Sequence, residues 1–241
     1  IESAVGEETV AIAHSVMSDS GAVPLEVVAD IAHRHGLPVI VDAAAELPPV
    51  GNLRAFIEAG ADLVAISGGK AIRGPQASGI LAGRADLIAS ARLQQLDMDV
   101  DPVIWRELEG TLPFQHGIGR SMKVGKEEIV GLVVALDRFV AADHDATARE
   151  LEGWVRDLAE RLPGGEVSPG GQRRGFYPRL VFALGPDRAR AVYRSLIATS
   201  PPIRVAQPGL EAGEIVVCPE AIPLEDREHV ERALGDALGA T

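Results

Sequence analysis

Leu37-Pro38-Val39-Ile40-Val41-Asp42 and Ala61-Asp62-Leu63-Val64-Ala65-Ile66-Ser67, the latter running on into Gly68-Gly69-Lys70-Ala71-Ile72-Arg73-Gly74-Pro75-Gln76, decide how this chain is read. Each run is almost continuously apolar, the pattern of a parallel strand covered on both faces rather than one that alternates. One run ends in a carboxylate and the other in a hydroxyl, two glycines and a lysine. Outward from them, Glu8–His14 reads as a strand and Pro24–His35 as an amphipathic helix with proline in its first turn, closed by Gly36. Asn52 to Ala59 reads as a helix closed by Gly60, Ser78–Gly83 as another short buried strand, and Arg84 to Gln95 as the helix behind it. Strands alternating with helices predict βαβ units, an α/β fold with a mostly parallel sheet.

The pattern loosens from Asp97 to Gly119, where an irregular segment suggests a functional loop. Helices are then expected at Lys123–Ala142, with apolar Val130, Val133, Val134 and Leu136, and at Ala146–Leu162. A boundary beside Asp143 divides residues 1–143 from a small α+β domain, 144–241. In the latter, strands are expected at Arg179–Leu184, near Ile203–Ala206 and at Glu214–Cys218. Its helices are expected at Asp187–Ile197 and Leu224–Leu238, and Pro163–Gly175 reads as a flexible connection.

Functional groups in open α/β sheets gather just past the carboxyl ends of the strands, which is where Asp42 and Lys70 fall. An acid and a lysine side by side on two strand ends suit pyridoxal 5'-phosphate chemistry. The amine forms a Schiff base with the cofactor aldehyde, and the carboxylate keeps the pyridine nitrogen protonated so that the ring accepts electrons. Burial and the neighbouring charge of Arg73 would help Lys70 to react near neutral pH. Gly68, Gly69 and Gly74 read as serving backbone geometry.

Composition sets limits on partners. The formal net charge of −12 argues against a nucleic-acid surface, which needs a clustered basic patch. No apolar run is long enough for a membrane span, and the first residues carry no secretory leader pattern. A single cysteine, Cys218, reads as a core thiol and fits a reducing cytoplasm. No metal-ligand spacing is present, and His33 and His35, at a helix end, carry no catalytic expectation.

Three segments in order, VDAAAELPPV (41–50), SGGKAIRGPQASGIL (67–81) and GIGRSMKVGKEEIVGL (117–132), resemble the fold-type I pyridoxal phosphate enzymes related to selenocysteine synthase (L-seryl-tRNA selenium transferase), and within them the D-glucosaminate-6-phosphate ammonia-lyase-like proteins. The resemblance runs through most of the chain. It implies part of a fold-type I large domain in residues 1–143, with the sheet and phosphate loop that precede Asp42 in such enzymes missing, so that the chain reads as N-terminally truncated. It also implies an internal Schiff base at Lys70, with Lys70 then acting as base, and Asp42 as the pyridinium partner. Ser67, Arg73 and Gln76 would bind the cofactor, and His116, Arg120 and Arg204 the substrate. Glu46 would line the pocket or remain an exposed loop acid.

The expected activity is that of a lyase, of the α,β-elimination or ammonia-lyase type, on an amino acid or amino sugar acid, in a homodimer or larger homo-oligomer. A racemase or aminotransferase shares the early steps. Two other readings stand beside it: a (β/α)8 barrel, in which Gly60-Ala61-Asp62 leads into a strand and a Gly-Gly loop binds phosphate, and a catalytically incomplete subunit.

Overall fold

The computed structural model of the protein describes residues 1–16, 23–95, 117–170 and 175–239. The chain forms two compact units, Ile1–Ala142 and Asp143–Thr241. Most of the expected loop between Asp97 and Gly119 lies outside the described residues.

In the first unit β1 (Ile12–Ser15), β2 (Val39–Asp42) and β3 (Leu63–Ser67) are parallel, in that order, and β4 (Gly79–Gly83) completes the sheet. Helices α1 (Leu25–Arg34) and α2 (Asn52–Glu58) connect the parallel strands, and α3 (Ala85–Gln94) and α4 (Lys126–Ala141) follow β4. Helix α1 places Leu25, Val28, Ala29 and Ala32 on one buried stripe at helical spacing. Gly36, at φ 69°, ends it, and Leu37 N–H reaches back to Ala32 O at 2.9 Å.

Three sequence expectations change here. Strand β4 runs antiparallel to β3 and is not buried, because the lysine loop that joins them holds no crossover helix to reverse the chain. That antiparallel edge is also not a strand of a (β/α)8 barrel. Strand β2 alternates buried and exposed residues instead of being covered on both faces. Val39, Val41, Val64 and Ile66 join the buried residues of α1 in one core, whereas Ile40, Asp42 and Leu81 face outward. Helix α4 likewise turns Leu132, Ala135, Leu136 and Phe139 to the core, leaving Ile129, Val130, Val133 and Val134 exposed.

In the second unit β5 (Gly165–Ser168), β6 (Arg179–Ala183) and β7 (Glu214–Val217) form an antiparallel sheet. Helices α5 (His144–Arg161), α6 (Pro186–Ile197), α7 (Gln207–Glu211) and α8 (Arg227–Leu238) accompany it. Phe182, Leu180, Leu158, Leu196, Ile215 and Leu234 fill its core. Asp143 caps α5 by accepting the Ala146 N–H at 2.7 Å. Trp154 Nε1 and Arg161 both donate to Glu231, at 2.7 and 2.8 Å, joining α5 to α8. Part of the expected flexible connection is strand β5, because Gly165–Ser168 finds a partner in β6. The expected strand at Ile203–Ala206 is irregular; Pro201 and Pro202 have no N–H to give a ladder.

Asp62 fastens the first unit. Its side chain accepts from Val39 N–H at 2.8 Å and Arg84 at 3.1 Å and meets His33 Nε2 at 2.9 Å, so one carboxylate joins β2, α1 and the start of α3. Burial favours the neutral form, but these hydrogen bonds outweigh it and hold the carboxyl below its usual range. A carboxyl depressed on folding stabilises fully above its unfolded value of about 4, and that stabilisation is lost as pH falls through the folded value. Asp62→Asn should therefore cost about 2 kcal/mol in urea unfolding at pH 7, and the difference from the parent should shrink towards pH 3.

Candidate active site at the strand ends

The parallel register puts Ser15, Asp42 and Ala65 in line across β1, β2 and β3, with Ser67 and Lys70 just beyond. Ala43 N–H donates to Ala65 O at 3.0 Å, carrying the β2–β3 ladder past Asp42 into the next loop. Asp42 Oδ1 accepts the Ala44 N–H at 3.0 Å, which fixes the carboxylate at the strand end. Ser67 closes β3, opposite Gly79 of β4.

The lysine loop is tightly folded. Gly68 N–H donates to Ser78 O, Gly74 N–H to Gly68 O and Arg73 N–H to Lys70 O, at 3.0, 2.8 and 2.9 Å. Arg73 sits at φ 60°, a left-handed conformation uncommon for a side chain of its size. Gln76 Nε2 donates to Gly69 O at 2.9 Å, a contact that braces the loop. Gly68 and Gly69 are required by close approach: a Cβ would lie 2.3 Å from Ser78 Oγ at the first and 2.7 Å from Gln76 at the second.

Asp42 and Lys70 are both exposed, and Ser67 is half-buried. Burial by the described residues is therefore not what would activate Lys70, contrary to the sequence expectation. Glu46 shares the electrostatic neighbourhood of both. Its carboxyl is pushed up by burial, then by the Asp42 charge, with Lys70 opposing.

The expected substrate residues are spread out. Arg120 lies in the 3-10 turn Ile118–Met122, which is tied to the end of α3 through Ile118 N–H and Gln94 Oε1 at 3.2 Å. Arg204 is exposed in the second unit, on a cleft of about 230 Å3 lined also by Pro202, Ile203, Val217, Cys218 and His229. Burial pushes the Cys218 thiol up, against the nearby Arg179 charge. His116 lies outside the described residues. Among the described residues there is no group of three His, Cys, Asp or Glu placed to hold a metal ion, and no helix is long and apolar enough to cross a membrane.

Sequence reading gave no role to Asp62, Arg84 and His33 as a fastening of the first unit, or to Asn52, whose side chain donates to Glu46 O at 2.6 Å. The available signal was Asp62 itself, a charge at the start of an apolar run, where burial demands partners.

An α/β unit with these strand-end groups has the architecture of the fold-type I pyridoxal phosphate-dependent enzymes. The solved D-glucosaminate-6-phosphate ammonia-lyase superposes with a TM-score of 0.71 and 26% identity, covering 99% of this chain and 60% of that one. Sequence relatives point the same way. A Streptomyces 5'-C-glycyluridine monooxygenase-decarboxylase is 32% identical across 99% of this chain and 56% of its own length. D-glucosaminate-6-phosphate ammonia lyase of Salmonella typhimurium is 34% identical over 63% of this chain and 35% of its own. An L-seryl-tRNA(Sec) selenium transferase of Solidesulfovibrio magneticus is 30% identical over 84% and 47%. No family model matches the chain. The chain thus spans about half the length of these relatives or less.

Gly68→Ala tests the loop geometry. The added methyl would also sit 2.8 Å from Leu132 Cδ1, so thermal unfolding should show a loss of about 2 kcal/mol, whereas Gly153→Ala, where a Cβ meets nothing within 4 Å, should not destabilise.

Proposed function

We propose that this chain is part of a pyridoxal phosphate-dependent enzyme of the lyase type, acting on an amino acid or amino sugar acid. The observation that carries the reading is the placement of Asp42 as the last residue of β2 and of Lys70 just past the end of the adjacent parallel strand β3, both exposed. The residues present fit the cofactor in their chemistry: a carboxylate for the ring nitrogen, a primary amine for the aldehyde, and a hydroxyl and a guanidinium for the phosphate. The cofactor, when bound, supplies an aldehyde that captures a substrate amine and a protonated ring that takes up electrons from the α-carbon.

Asp42, oriented by the Ala44 amide, holds the ring nitrogen. Lys70 would hold the cofactor aldehyde through Nζ, and the same nitrogen, as a free amine, would serve as the base for the α-proton. Ser67 and Arg73 bind the phosphate, while Gln76 keeps the loop in shape through Gly69. Arg120, Arg204 and His116 are assigned to the substrate carboxylate or phosphate, for which an arginine fork is suited. Residues 1–143 are assigned to the large domain and 144–241 to the small one, in a homodimer in the cytoplasm without nucleic acid. The exposed apolar residues of α4 support an assembly of chains.

The Streptomyces relative favours a second reading. Its match along 99% of this chain fits the same site with a reaction that ends in loss of the α-carboxylate.

The test adds pyridoxal phosphate to the purified protein, reduces with borohydride and maps peptides. A cofactor-derived mass on the peptide carrying Lys70, absent in Lys70→Ala, is the expected outcome. Asp42→Asn should weaken cofactor binding about 10- to 100-fold, through loss of a charge-assisted bond worth about 1.5–3 kcal/mol. An unlabelled Lys70 in the full-length gene product as well would overturn the proposal.

A further inference from the structure

Helix α4 packs directly on the lysine loop. Gly131 approaches Pro75 so closely that a Cβ there would lie 2.9 Å from Pro75 Cγ and 3.2 Å from Pro75 Cδ. Leu132, the next residue, lies against both glycines that bracket Lys70: a Cβ at Gly68 would be 2.8 Å, and one at Gly74 3.4 Å, from its Cδ1. Pro75 is held by its main chain as well. Its carbonyl accepts from Ser78 Oγ at 2.6 Å and from Ser78 N–H at 3.1 Å, and Ser78 is buried. Ser78 O in turn accepts the Gly68 N–H at 3.0 Å, so the grip on Pro75 reaches back to the end of β3. Between these holds stand Lys70, whose carbonyl accepts the Arg73 N–H at 2.9 Å, and Ile72, buried in the core.

We propose that Pro75, gripped on its carbonyl by Ser78 and on its ring by Gly131 of α4, is the clamp that sets the course of the main chain at Lys70, which makes Ser78 and Gly131 positioning residues of the site. Neither needs to touch cofactor or substrate; they act through the loop that carries the amine. The physical reason is rigidity. A proline ring is tied to its own nitrogen and cannot swing aside as a long side chain would, and closely packed groups do not accept an extra methyl without a shift of main chain. Helix α4 is itself seated in the core through Leu136 and Phe139, so the strain of a methyl at Gly131 falls on the loop. Glycine inside a 16-residue helix favours that helix less than alanine would, and the close approach of Pro75 is what accounts for it here. The consequence for the site rests on the reading of Lys70 given above. Asp42 is fixed separately, by the Ala44 amide, so a shift of the lysine loop changes the spacing of acid and amine, and small misplacements of reacting groups are costly.

Hydrogen–deuterium exchange of the loop amides tests the clamp without cofactor. Gly131→Ala should speed exchange at Arg73 and Gly74 about tenfold, with exchange in β1 and α1 unchanged. In a Pro75→Ala background, which lacks the two ring atoms that the methyl would meet, Gly131→Ala should have no effect. Ser78→Ala removes only the hydroxyl hold on the Pro75 carbonyl and should speed the same amides about fivefold; this arm stands even if Gly131→Ala fails to fold. Gly153→Ala, where a Cβ meets nothing within 4 Å, should leave them alone. Unchanged loop exchange in a folded Gly131→Ala or Ser78→Ala, or a Gly131→Ala effect of equal size in the Pro75→Ala background, would overturn the proposal. For the role at Lys70, borohydride trapping of limiting pyridoxal phosphate in the full-length gene product should fall about tenfold in Gly131→Ala and return to the Pro75→Ala level in the double variant. Trapping that stays at the parent level while the loop amides exchange faster would also sink the positioning role. A parent protein that traps no cofactor would defeat the reading of Lys70 and leave the exchange rates to decide on the clamp, so the two can fail separately.

Discussion

A buried carboxylate holds the first unit in register. Asp62 lies at the start of β3, where taking a charge out of water would be costly were it not met by an amide, an imidazole and a guanidinium. Those partners come from β2, α1 and the turn after β4, so satisfying the charge also fixes how these elements stack. The main chain of the same residue adds two more ties, since Asp62 N–H donates to Val39 O and Arg84 N–H to Asp62 O, both at 2.9 Å. The network lies at the opposite end of the strands from the candidate site. What happens at the carboxyl ends is therefore built on a register set elsewhere.

At those carboxyl ends the same logic runs in reverse. Asp42, Glu46 and Lys70 are charges left partly or wholly in reach of water, on a sheet face whose apolar neighbours Ile40 and Leu81 are 38% and 43% exposed. The lysine loop owes its position to packing, not to charge: Gly68 and Gly69 let the chain pass against Ser78 and Gln76 where no side chain would fit. Lys70 is thus placed by glycines and main-chain hydrogen bonds.

The sequence relatives carry different named activities, an ammonia lyase, a selenium transferase and a monooxygenase-decarboxylase. A strand-end acid and lysine can serve them all, because loss of the α-proton, of a β-substituent or of a carboxylate draws on one electron sink. The choice between outcomes depends on groups around the substrate.

The sequence by itself determined the α/β class, the parallel β2–β3 pair and the position of Asp42 and Lys70 at and just beyond its carboxyl ends. All three follow from local signals: apolar runs of strand length, helices bounded by proline and glycine, and polar residues where the runs stop. Only the tertiary structure decided the rest, since it depends on what each segment meets. Nothing in Ser78–Gly83 reveals that it pairs antiparallel, because direction follows from the absence of a crossover and not from the strand's own residues. Gly165–Ser168 is strand only because β6 accepts it, and Val130, Val133 and Val134 are apolar yet exposed because the core takes the other side of their helix.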